Sequence, residues 1–238
     1  MTADMPRQLA FDLPHRPALG VEDFLVSASN GSAVDLIDRW PHWPHLSVVV
    51  VGPPGSGKSH LAHVWRLKSG ADVAPAGALA DATVTSFQDT SRVALVVEDV
   101  DRGIADERVL FHLLNQARET GRSVLLTSRR APGDIDIKLP DLRSRLRALP
   151  VVSIGAPDEG LLTAVLIKLF CDRQLVVEPP TIQHIARHMD RSMEAALAVV
   201  AAIDALALVK QRKVTRALAA EALAALVPLS AQDGSEAP

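Results

Sequence analysis

Short apolar runs of strand length recur along the first two thirds of the chain. The runs span residues 46–51, 93–97, 123–127 and 150–154. Nearly continuous apolar text of this length is expected of strands buried on both faces of a parallel sheet. Between the second and third runs, Leu110, Leu113, Leu114 and Ala117 follow helical spacing, and Gly121 closes that segment. Alternation of strands and helices predicts an α/β fold with a parallel sheet.

From Asp158 onward the apolar residues follow helical spacing only. They fall in four segments, around residues 162–169, 181–189, 196–206 and from 215 on. This pattern predicts a second, all-helical unit. Prolines break residues 1–18, which are predicted to be an extended tail, and the small polar residues 228–238 are predicted to be disordered. The predicted division is therefore a tail (1–18), an αβα unit (19–156), a helical unit (157–227) and a final tail (228–238).

Composition excludes several classes of protein. The 25 basic and 28 acidic residues leave a net charge of −3, so direct sequence-specific DNA binding is not expected. Aromatic residues make up only 3% of the chain, too few for a platform that stacks bases. The single cysteine, Cys171, excludes an internal disulfide framework. With no signal peptide and no apolar run of about 20 residues, a cytoplasmic protein without membrane contact is expected.

The segment after the first apolar run matches the phosphate-binding P-loop pattern. It reads Gly52-Pro53-Pro54-Gly55-Ser56-Gly57-Lys58-Ser59 and is followed by His60. It lies between a predicted strand and a predicted helix, which is the context that the motif requires. Its backbone N–H groups would cradle phosphate, Lys58 would reach the β- and γ-phosphates, and Ser59 would ligate Mg²⁺. The pattern predicts ADP or ATP with Mg²⁺; the alternative is a glycine-rich turn without a ligand.

Two acids, Glu98 and Asp99, follow the second apolar run. The carboxyl ends of parallel strands are where an α/β sheet places its ligands. One acid would hold the Mg²⁺ shell, together with Ser59, and the next would orient the attacking water. The alternative is that both acids merely terminate the strand.

With these motifs in place, the chain resembles the DnaA branch of the AAA+ ATPases over about residues 20 to 226. The further segments that carry the resemblance are 21–24 with 29–30, 57–63, 111–115, 126–129 and 139–146. The resemblance implies a five-stranded parallel αβα sandwich with a smaller helical C-terminal lid. It also implies that Ser128 is the first sensor of the γ-phosphate, and that Arg145 is an arginine finger acting on a neighbouring molecule.

Three positions depart from the family pattern. Glu98 replaces the first aspartate of the acidic pair, which leaves Asp99 as the water-orienting acid. Arg129 stands where DnaA has an acidic residue, so Ser128 is left as the polar probe of the γ-phosphate. Glu194 stands where the second sensor arginine is expected, and a carboxylate there repels a triphosphate. Weak self-hydrolysis is therefore expected, and a diphosphate-bound state is compatible with these changes.

Residues 8–13 of the N-terminal tail are similar to the short peptide that docks on the β sliding clamp of DNA polymerase III. Leu9, Phe11 and Leu13 are spaced by two, so an extended backbone would place them in one groove while Gln8 hydrogen-bonds at its rim. The alternative is an edge strand or a disordered tail. Within the DnaA branch, this motif and the absence of a helix-turn-helix segment after the lid narrow the resemblance to regulators that inactivate DnaA.

The leading hypothesis is a clamp-bound regulator that presents Arg145 to ATP on DnaA and promotes its hydrolysis. A second is a self-acting ATPase, with Asp99 as catalytic acid, that loads or remodels DNA-bound replication machinery. A third is a clamp adaptor whose nucleotide serves only stability, so that Lys58→Ala lowers thermal stability without changing partner effects. Self-association through the Arg145 face is left open, as is the interpretation of Arg143, Arg145 and Arg147 as a solvated basic face of a strand or loop.

Overall fold

The computed structural model describes residues 25–88 and 93–226. Within these ranges, five parallel strands form one sheet in the order β2-β3-β4-β1-β5. The strands are β1 (Ser47–Val51), β2 (Asp72–Pro75), β3 (Ala94–Glu98), β4 (Ser123–Ser128) and β5 (Val151–Ser153). The carboxyl ends of β3, β4 and β1 therefore lie side by side.

Nine α-helices accompany the sheet in the described part of the chain. They are α1 (Gly31–Arg39), α2 (Lys58–Ser69), α3 (Asp81–Gln88), α4 (Glu107–Thr120), α5 (Pro140–Arg147), α6 (Glu159–Asp172), α7 (Pro179–His188), α8 (Met193–Lys210) and α9 (Arg216–Leu226). None of them combines the length and apolarity needed to cross a bilayer.

Strand β1 shows why the first apolar run has no polar alternation. Val48 and Val50 join one core cluster with Trp65 of α2, whereas Val49 joins a second cluster with Leu110 of α4. Successive residues of a strand point to opposite faces, so a strand covered on both sides must be apolar throughout. The predicted α/β class, with a parallel five-stranded sheet between helical layers, is confirmed.

The last four helices, α6 to α9, enclose a core of their own. Leu162 and Phe170 of α6 pack with Ile185 of α7, Ile203 of α8 and Leu218 of α9. These residues follow the helical spacing from which the segments were predicted. The numbered division at residues 18, 156 and 227 remains a prediction, and both predicted tails lie outside the described residues.

Three elements differ from the sequence-based expectation. Strand β2 has only four residues and a half-exposed pattern, and α3 carries a single buried residue, Phe87, so neither had a periodicity long enough to detect. The expected strand or loop around residues 143–147 is helix α5, which begins at Pro140 and buries Leu142 and Leu146. Proline in the first helical turn is favourable because its missing N–H would have no partner there.

Candidate functional site

A cavity of about 510 Å³ lies at the carboxyl end of the sheet, between the P-loop and the C-terminal helices. Its lower side, the floor, consists of residues 54–60 together with Asp99 and Arg129. Its upper side, the lid wall, consists of Leu161, Val165, Lys168, Leu169, Met193, Glu194 and Leu197. The floor is polar and the lid wall is mainly apolar, which is the composition expected of a site that binds a phosphate chain at one end and a base at the other.

The P-loop on the floor has the conformation that its glycines allow. Gly55 and Gly57 adopt φ of 67° and 100°, which residues with a side chain seldom adopt. Gly52 is needed for a different reason: a Cβ there would collide with the backbone oxygen of Ile154. Helix α2 begins at Lys58, so its free N–H groups face the loop and favour an anion.

Lys58 is held against the loop by two hydrogen bonds. Its Nζ donates to the backbone oxygens of Gly52, at 2.7 Å, and Pro53, at 2.9 Å. Burial lowers the pKa of Lys58, as does the positive charge of Arg129, whereas Asp99 and Asp101 act in the opposite direction. Phosphate oxygens could replace the two carbonyls as acceptors, because an ammonium group donates to either.

The hydroxyl of Ser56 is a further polar group on the cavity floor. It is buried and has no hydrogen-bond partner among the described residues. A buried hydroxyl without a partner costs free energy unless something else satisfies it. The residue lines the cavity, together with the predicted binding residues Gly55, Gly57, Ser59 and His60. Gly52 and Pro53 contribute through the carbonyls that hold Lys58.

The two acids at the end of β3 take different positions. Glu98 is the last residue of the strand and is absent from the described lining of the cavity, whereas Asp99 is part of it. Asp99 has a left-handed backbone with φ of 58°, and its N–H donates to Oγ1 of Thr127 at 3.0 Å. Its carboxylate lies 3.4 Å from the Arg102 guanidinium. The turn after β3 thus brings Asp99, and not Glu98, to the floor.

A nucleotide-bound Mg²⁺ fits this floor. Mg²⁺ keeps several waters and takes one or two protein oxygens besides the phosphates. The Ser59 hydroxyl and the Asp99 carboxylate line the same cavity and supply those two donor types. Within the described ranges, no cluster of three or more histidine, cysteine or acidic side chains could hold a metal on its own. Any metal here would therefore depend on the phosphates. The assignment of Glu98 as its ligand remains a prediction.

Two neighbouring residues at the end of β4 also differ in burial. Ser128 is fully buried, and its hydroxyl donates to the backbone oxygen of Arg130 at 2.6 Å. Arg129 is exposed and lines the floor. The structure therefore does not bring the predicted sensor, Ser128, to the described wall of the cavity; it brings Arg129, which the sequence-based interpretation left without a role.

The lid wall touches the P-loop directly. The backbone N–H of Met193, at the start of α8, donates to the backbone oxygen of Gly55 at 2.8 Å. A Cβ on Gly55 would collide with the Ser192 side chain. Ser192 caps α8, with its hydroxyl accepting from the Ala195 N–H at 3.0 Å. The sequence does not predict this contact, because the two residues are more than a hundred positions apart.

The segment before α1 also contributes to the cavity. Leu25 and Asn30 line it, as do the leucines of the lid wall. Asn30 fixes its own turn, because its Oδ1 accepts from Ser27 N–H at 2.8 Å and its Nδ2 donates to the Leu25 oxygen at 2.9 Å. The preceding segment, 21–24, which carries part of the family resemblance, lies outside the described residues.

Arg145 lies away from the described wall of the cavity, on α5. Its Nη2 donates to Oδ1 of Asn115 on α4 at 2.6 Å. The flanking arginines point elsewhere: Arg143 donates to the Ile137 oxygen and Arg147 to the Gly133 oxygen. Residues two apart on a helix are separated by about 200° around its axis. The three arginines therefore do not form the single basic face that a strand would have given. The clamp motif, Gln8, Leu9, Phe11 and Leu13, lies outside the described residues.

Comparison with curated proteins finds DnaA. No protein-family model matches the chain. "Chromosomal replication initiator protein DnaA" of Lachnoclostridium phytofermentans is 27% identical over 242 residues, covering 89% of this chain and 52% of that protein. DnaA of Cutibacterium acnes is 24% identical over 245 residues, covering 93% and 48%. The chain thus spans about half the length of the curated relatives that it matches.

Solved structures give the fold. Domain III of Thermotoga maritima DnaA superposes with a TM-score of 0.71 at 18% identity, covering 87% of this chain and 96% of that one. AMPPCP-bound DnaA from Aquifex aeolicus gives a TM-score of 0.64 at 19% identity, covering 77% and 64%. The Thermotoga maritima RuvB branch migration motor gives 0.65 at 16% identity, covering 82% and 66%. The chain has the fold of DnaA domain III and of RuvB, and its sequence is similar to that of DnaA.

Proposed function

We propose that this DnaA-like AAA+ chain is a regulator of chromosomal replication initiation that stimulates hydrolysis of ATP bound to DnaA and so inactivates the initiator, as the regulator Hda does. The observation that carries the proposal is the position of Arg145. It stands on α5, away from the described wall of the chain's own cavity, with its guanidinium on Asn115 of α4. In the proposal, an arginine in this position serves a nucleotide on another molecule.

The cavity supports binding of ADP or ATP with Mg²⁺ on this chain. Lys58 and the N-terminus of α2 supply positive potential, and the Ser56 hydroxyl has no partner in the part of the chain that the structure describes. The mainly apolar lid wall suits a base. AMPPCP-bound DnaA has the same fold. In the proposal this nucleotide orders the chain and is not its substrate for rapid turnover, because Glu194 brings a carboxylate to the site.

Arg145 is suited to act on a partner because its side chain is positioned in advance. Its hydrogen bond to Asn115 fixes the guanidinium on the surface formed by α4 and α5, and its partial burial limits its motion. A preorganised cation loses little entropy when it meets the charge that develops on a transferring phosphoryl group. Arginine fingers supplied in trans accelerate hydrolysis by about 10³- to 10⁵-fold in well-studied GTPases.

The proposal assigns recruitment to residues 8–13, which would dock on the β sliding clamp. Their apolar residues at every second position fit an extended peptide in a groove. The partners are therefore DnaA and the clamp, and the place of action is the cytoplasm. Sequence-specific DNA binding by this chain is not part of the proposal, since the net charge is −3.

The experiment measures how fast ATP bound to the cognate DnaA becomes ADP in the presence of clamp loaded on DNA. The intact chain is compared with Arg145→Ala and with a chain lacking residues 1–14. Arg147→Ala is the matched control, because Arg147 lies on the same helix, is exposed, and makes only a 3.4 Å contact with the Gly133 oxygen. Stimulation should require Arg145 and the tail and should survive in the control. Full stimulation by Arg145→Ala would remove the finger from the mechanism.

A second function, a self-acting ATPase that loads or remodels replication machinery, is favoured by one observation. Asp99 lines the cavity in reach of a bound phosphate chain, where it could orient water. Robust turnover by the isolated chain, lost in Asp99→Ala, would support this alternative. If neither turnover nor stimulation occurs but Lys58→Ala lowers thermal stability, the chain is a nucleotide-stabilised clamp adaptor.

A further inference from the structure

The helical unit exposes two different surfaces at opposite ends of α8 and α9. One is an apolar pocket with acidic side chains, and the other is a turn with apolar and basic side chains. We propose that these surfaces bind each other between copies of this chain, so that the turn of one copy occupies the pocket of the next. The inference goes beyond the proposed function and does not rest on it.

The first surface, the lid pocket, is a cavity of about 390 Å³ where α7 ends, α8 begins and α9 ends. Its apolar lining includes Ala198, Val199, Leu223 and Leu226, and its acidic lining is Asp190 and Glu194. Within the described ranges, neither carboxylate has a hydrogen bond or an ion pair. Both charges are therefore available to a group that enters the pocket.

The two carboxylates determine the sign of the charge in the lid pocket. Helix α7 ends there and α8 begins there, so the opposite partial charges of these two helix termini offset each other. No lysine or arginine belongs to the described lining, and Arg191, which lies between the two acids in the sequence, is exposed outside it. A cation with apolar neighbours is the group that complements such a pocket.

The second surface, the basic turn, connects α8 to α9 and carries that combination of groups. It consists of Leu208, Val209, Arg212, Lys213 and Arg216, all of which are exposed. Leu208 and Val209 are each 79% exposed, although a helix normally turns such residues toward a core. The three basic side chains have no hydrogen-bond or ion-pair partner in the part of the chain that the structure describes. Lys210 is excluded because it pairs with Glu221 at 2.7 Å.

The geometry of α8 makes this contact intermolecular. The lid pocket lies at the start of the helix and the basic turn at its end, 18 residues later, so one copy cannot place its turn in its own pocket. Because the two surfaces differ, each contact leaves one free pocket and one free turn. Such a heterologous contact continues as an open chain or closes as a ring.

The nearest alternative occupant in the sequence is the segment that follows α9. Residues 227–238 contain two acidic residues and no basic residue. Their charge has the same sign as that of the lid pocket, which disfavours their binding there. The basic turn supplies both the opposite charge and the exposed apolar side chains, so charge complementarity favours a second copy.

The test is sedimentation velocity of the full chain without nucleotide, over about a hundredfold range of protein concentration. At about 50 mM NaCl the average mass of the wild type should rise above that of a monomer, and about 500 mM NaCl should reverse this because salt screens the charge pairs. Lys213→Glu and Asp190→Lys should each weaken association by at least about tenfold. Asp190 is the acid of choice, since Glu194 also lines the nucleotide cavity.

An equimolar mixture of Lys213→Glu and Asp190→Lys should associate again. The acidic turn of the first variant then meets the basic pocket of the second, and the native turn of the second meets the native pocket of the first. Arg108→Glu is the charge control, because Arg108 is exposed on α4, outside both surfaces, and changes the net charge equally. Its association should equal that of the wild type.

The apolar part of the contact is tested by the double change Leu208→Ser with Val209→Ser, which should weaken association by at least about tenfold. Val176→Ser is the matched control, because Val176 is 91% exposed and lies between α6 and α7, outside both surfaces. Thermal unfolding of each variant shows whether it is folded. Recovery of association in the mixture cannot come from unfolded chains.

Four results would overturn the inference. They are a wild type that stays monomeric at every concentration, a mixture that does not recover, association that Arg145→Ala abolishes while the turn variants keep it, and association that appears only when residues 227–238 are removed. Binding to phosphatidylglycerol vesicles without self-association would assign the basic turn to an anionic lipid surface instead. The measurement involves no nucleotide, DnaA or clamp, so its result and that of the hydrolysis experiment are independent.

Discussion

The floor of the cavity is formed by consecutive residues of the sequence, whereas its lid wall is formed by residues of two separate helices. The floor is built from the P-loop, where eight consecutive residues carry the chemistry and the backbone shape together. The lid wall is built from α6 and α8, whose cavity-facing leucines look like any other apolar helix residues. A binding surface formed by one loop can be predicted from local sequence. A surface formed by several helices depends on how those helices pack in the tertiary structure.

The floor should respond most strongly to loss of its cation. Lys58→Ala removes the amine that donates to Gly52 and Pro53 and that would reach the phosphates. We expect binding of ADP and of AMPPCP to weaken by about 100-fold, because hydrogen bonds to charged groups each contribute about 1.5–3 kcal/mol. Calorimetry with Mg²⁺ measures this. Lys213→Ala, an exposed lysine between α8 and α9, is the control, and unchanged affinity in Lys58→Ala would show that the floor is not a phosphate site.

The joint between floor and lid wall should be nearly as sensitive. Gly55→Ala introduces a Cβ against Ser192 and forces a side chain into a backbone with φ of 67°. Gly70 is the matched control, because its φ is 68° and a Cβ there meets nothing within 4 Å. Gly55→Ala should lower the free energy of unfolding by about 1–3 kcal/mol more than Gly70→Ala does, the usual cost of overpacking. Denaturant unfolding measures both.

A double variant tests whether contact with Ser192 causes the larger loss of stability in Gly55→Ala than in Gly70→Ala. Ser192→Gly removes the side chain that the new Cβ meets, and glycine remains an acceptable N-cap for α8. Gly55→Ala combined with Ser192→Gly should regain most of the lost stability. If the double variant is as unstable as the sum of the two single changes, the loop and the start of α8 are not in energetic contact.

Much of the fold could be predicted from apolar runs and helical spacing, because β1, β3 and β4 are buried on both faces. Strand β2 was not, since Asp72–Pro75 is short and alternates between partly buried and exposed positions. Helix α5 was mistaken for a strand or loop because three arginines at every second position imitate a strand, although Leu142 and Leu146 are spaced as in a helix.

The candidate site could be predicted only where its functional residues are consecutive in the sequence. The P-loop residues line the cavity as expected, but of the two acids at the end of β3 the left-handed turn at Asp99 brings only the second to the described wall. At the end of β4, Ser128 is buried, whereas the next residue, Arg129, lines the cavity, and position in the sequence alone did not predict this difference. Which way a side chain leaves a strand end depends on the turn that follows.

The lid wall itself should contribute a smaller, nonselective part of binding. Leu197 lines the cavity and is 51% exposed, so a base packed on it would bury apolar surface. Leu197→Ala should weaken ADP and AMPPCP by the same factor, about fivefold, as expected for the partial loss of a few methyl groups. Leu208→Ala, on the same helix and 79% exposed, should change neither. Selective loss of one nucleotide would contradict the division between base end and phosphate end.

The smallest expected effect is a pH dependence from His60 at the junction of floor and lid wall. Desolvation lowers the pKa of His60 below its ordinary value of 6.5, and the charges of His63 and Lys168 lower it further. The folded chain thus binds this proton less readily than the unfolded chain. The contribution of His60 to stability is complete above about pH 6.5 and declines as pH falls through the lowered pKa.

Thermal unfolding at about pH 7.5 and about pH 5.5 tests this assignment. His60→Gln should lose less stability than the wild type between the two conditions. His45→Gln is the control, because His45 lies in an exposed loop. If stability depends on pH in the same way in the wild type and in His60→Gln, the surroundings of this imidazole do not lower its pKa.

The hydrogen bond between Gly55 and Met193 links the P-loop to the first residue of α8. Met193 is the first residue of a helix that continues for 18 residues to Lys210, a length of about 27 Å at 1.5 Å per residue. A tilt of about 10° at the Met193 end displaces the Lys210 end by about 5 Å. A displacement of the P-loop that tilted α8 as a rigid rod would therefore be larger at Lys210 than at Met193.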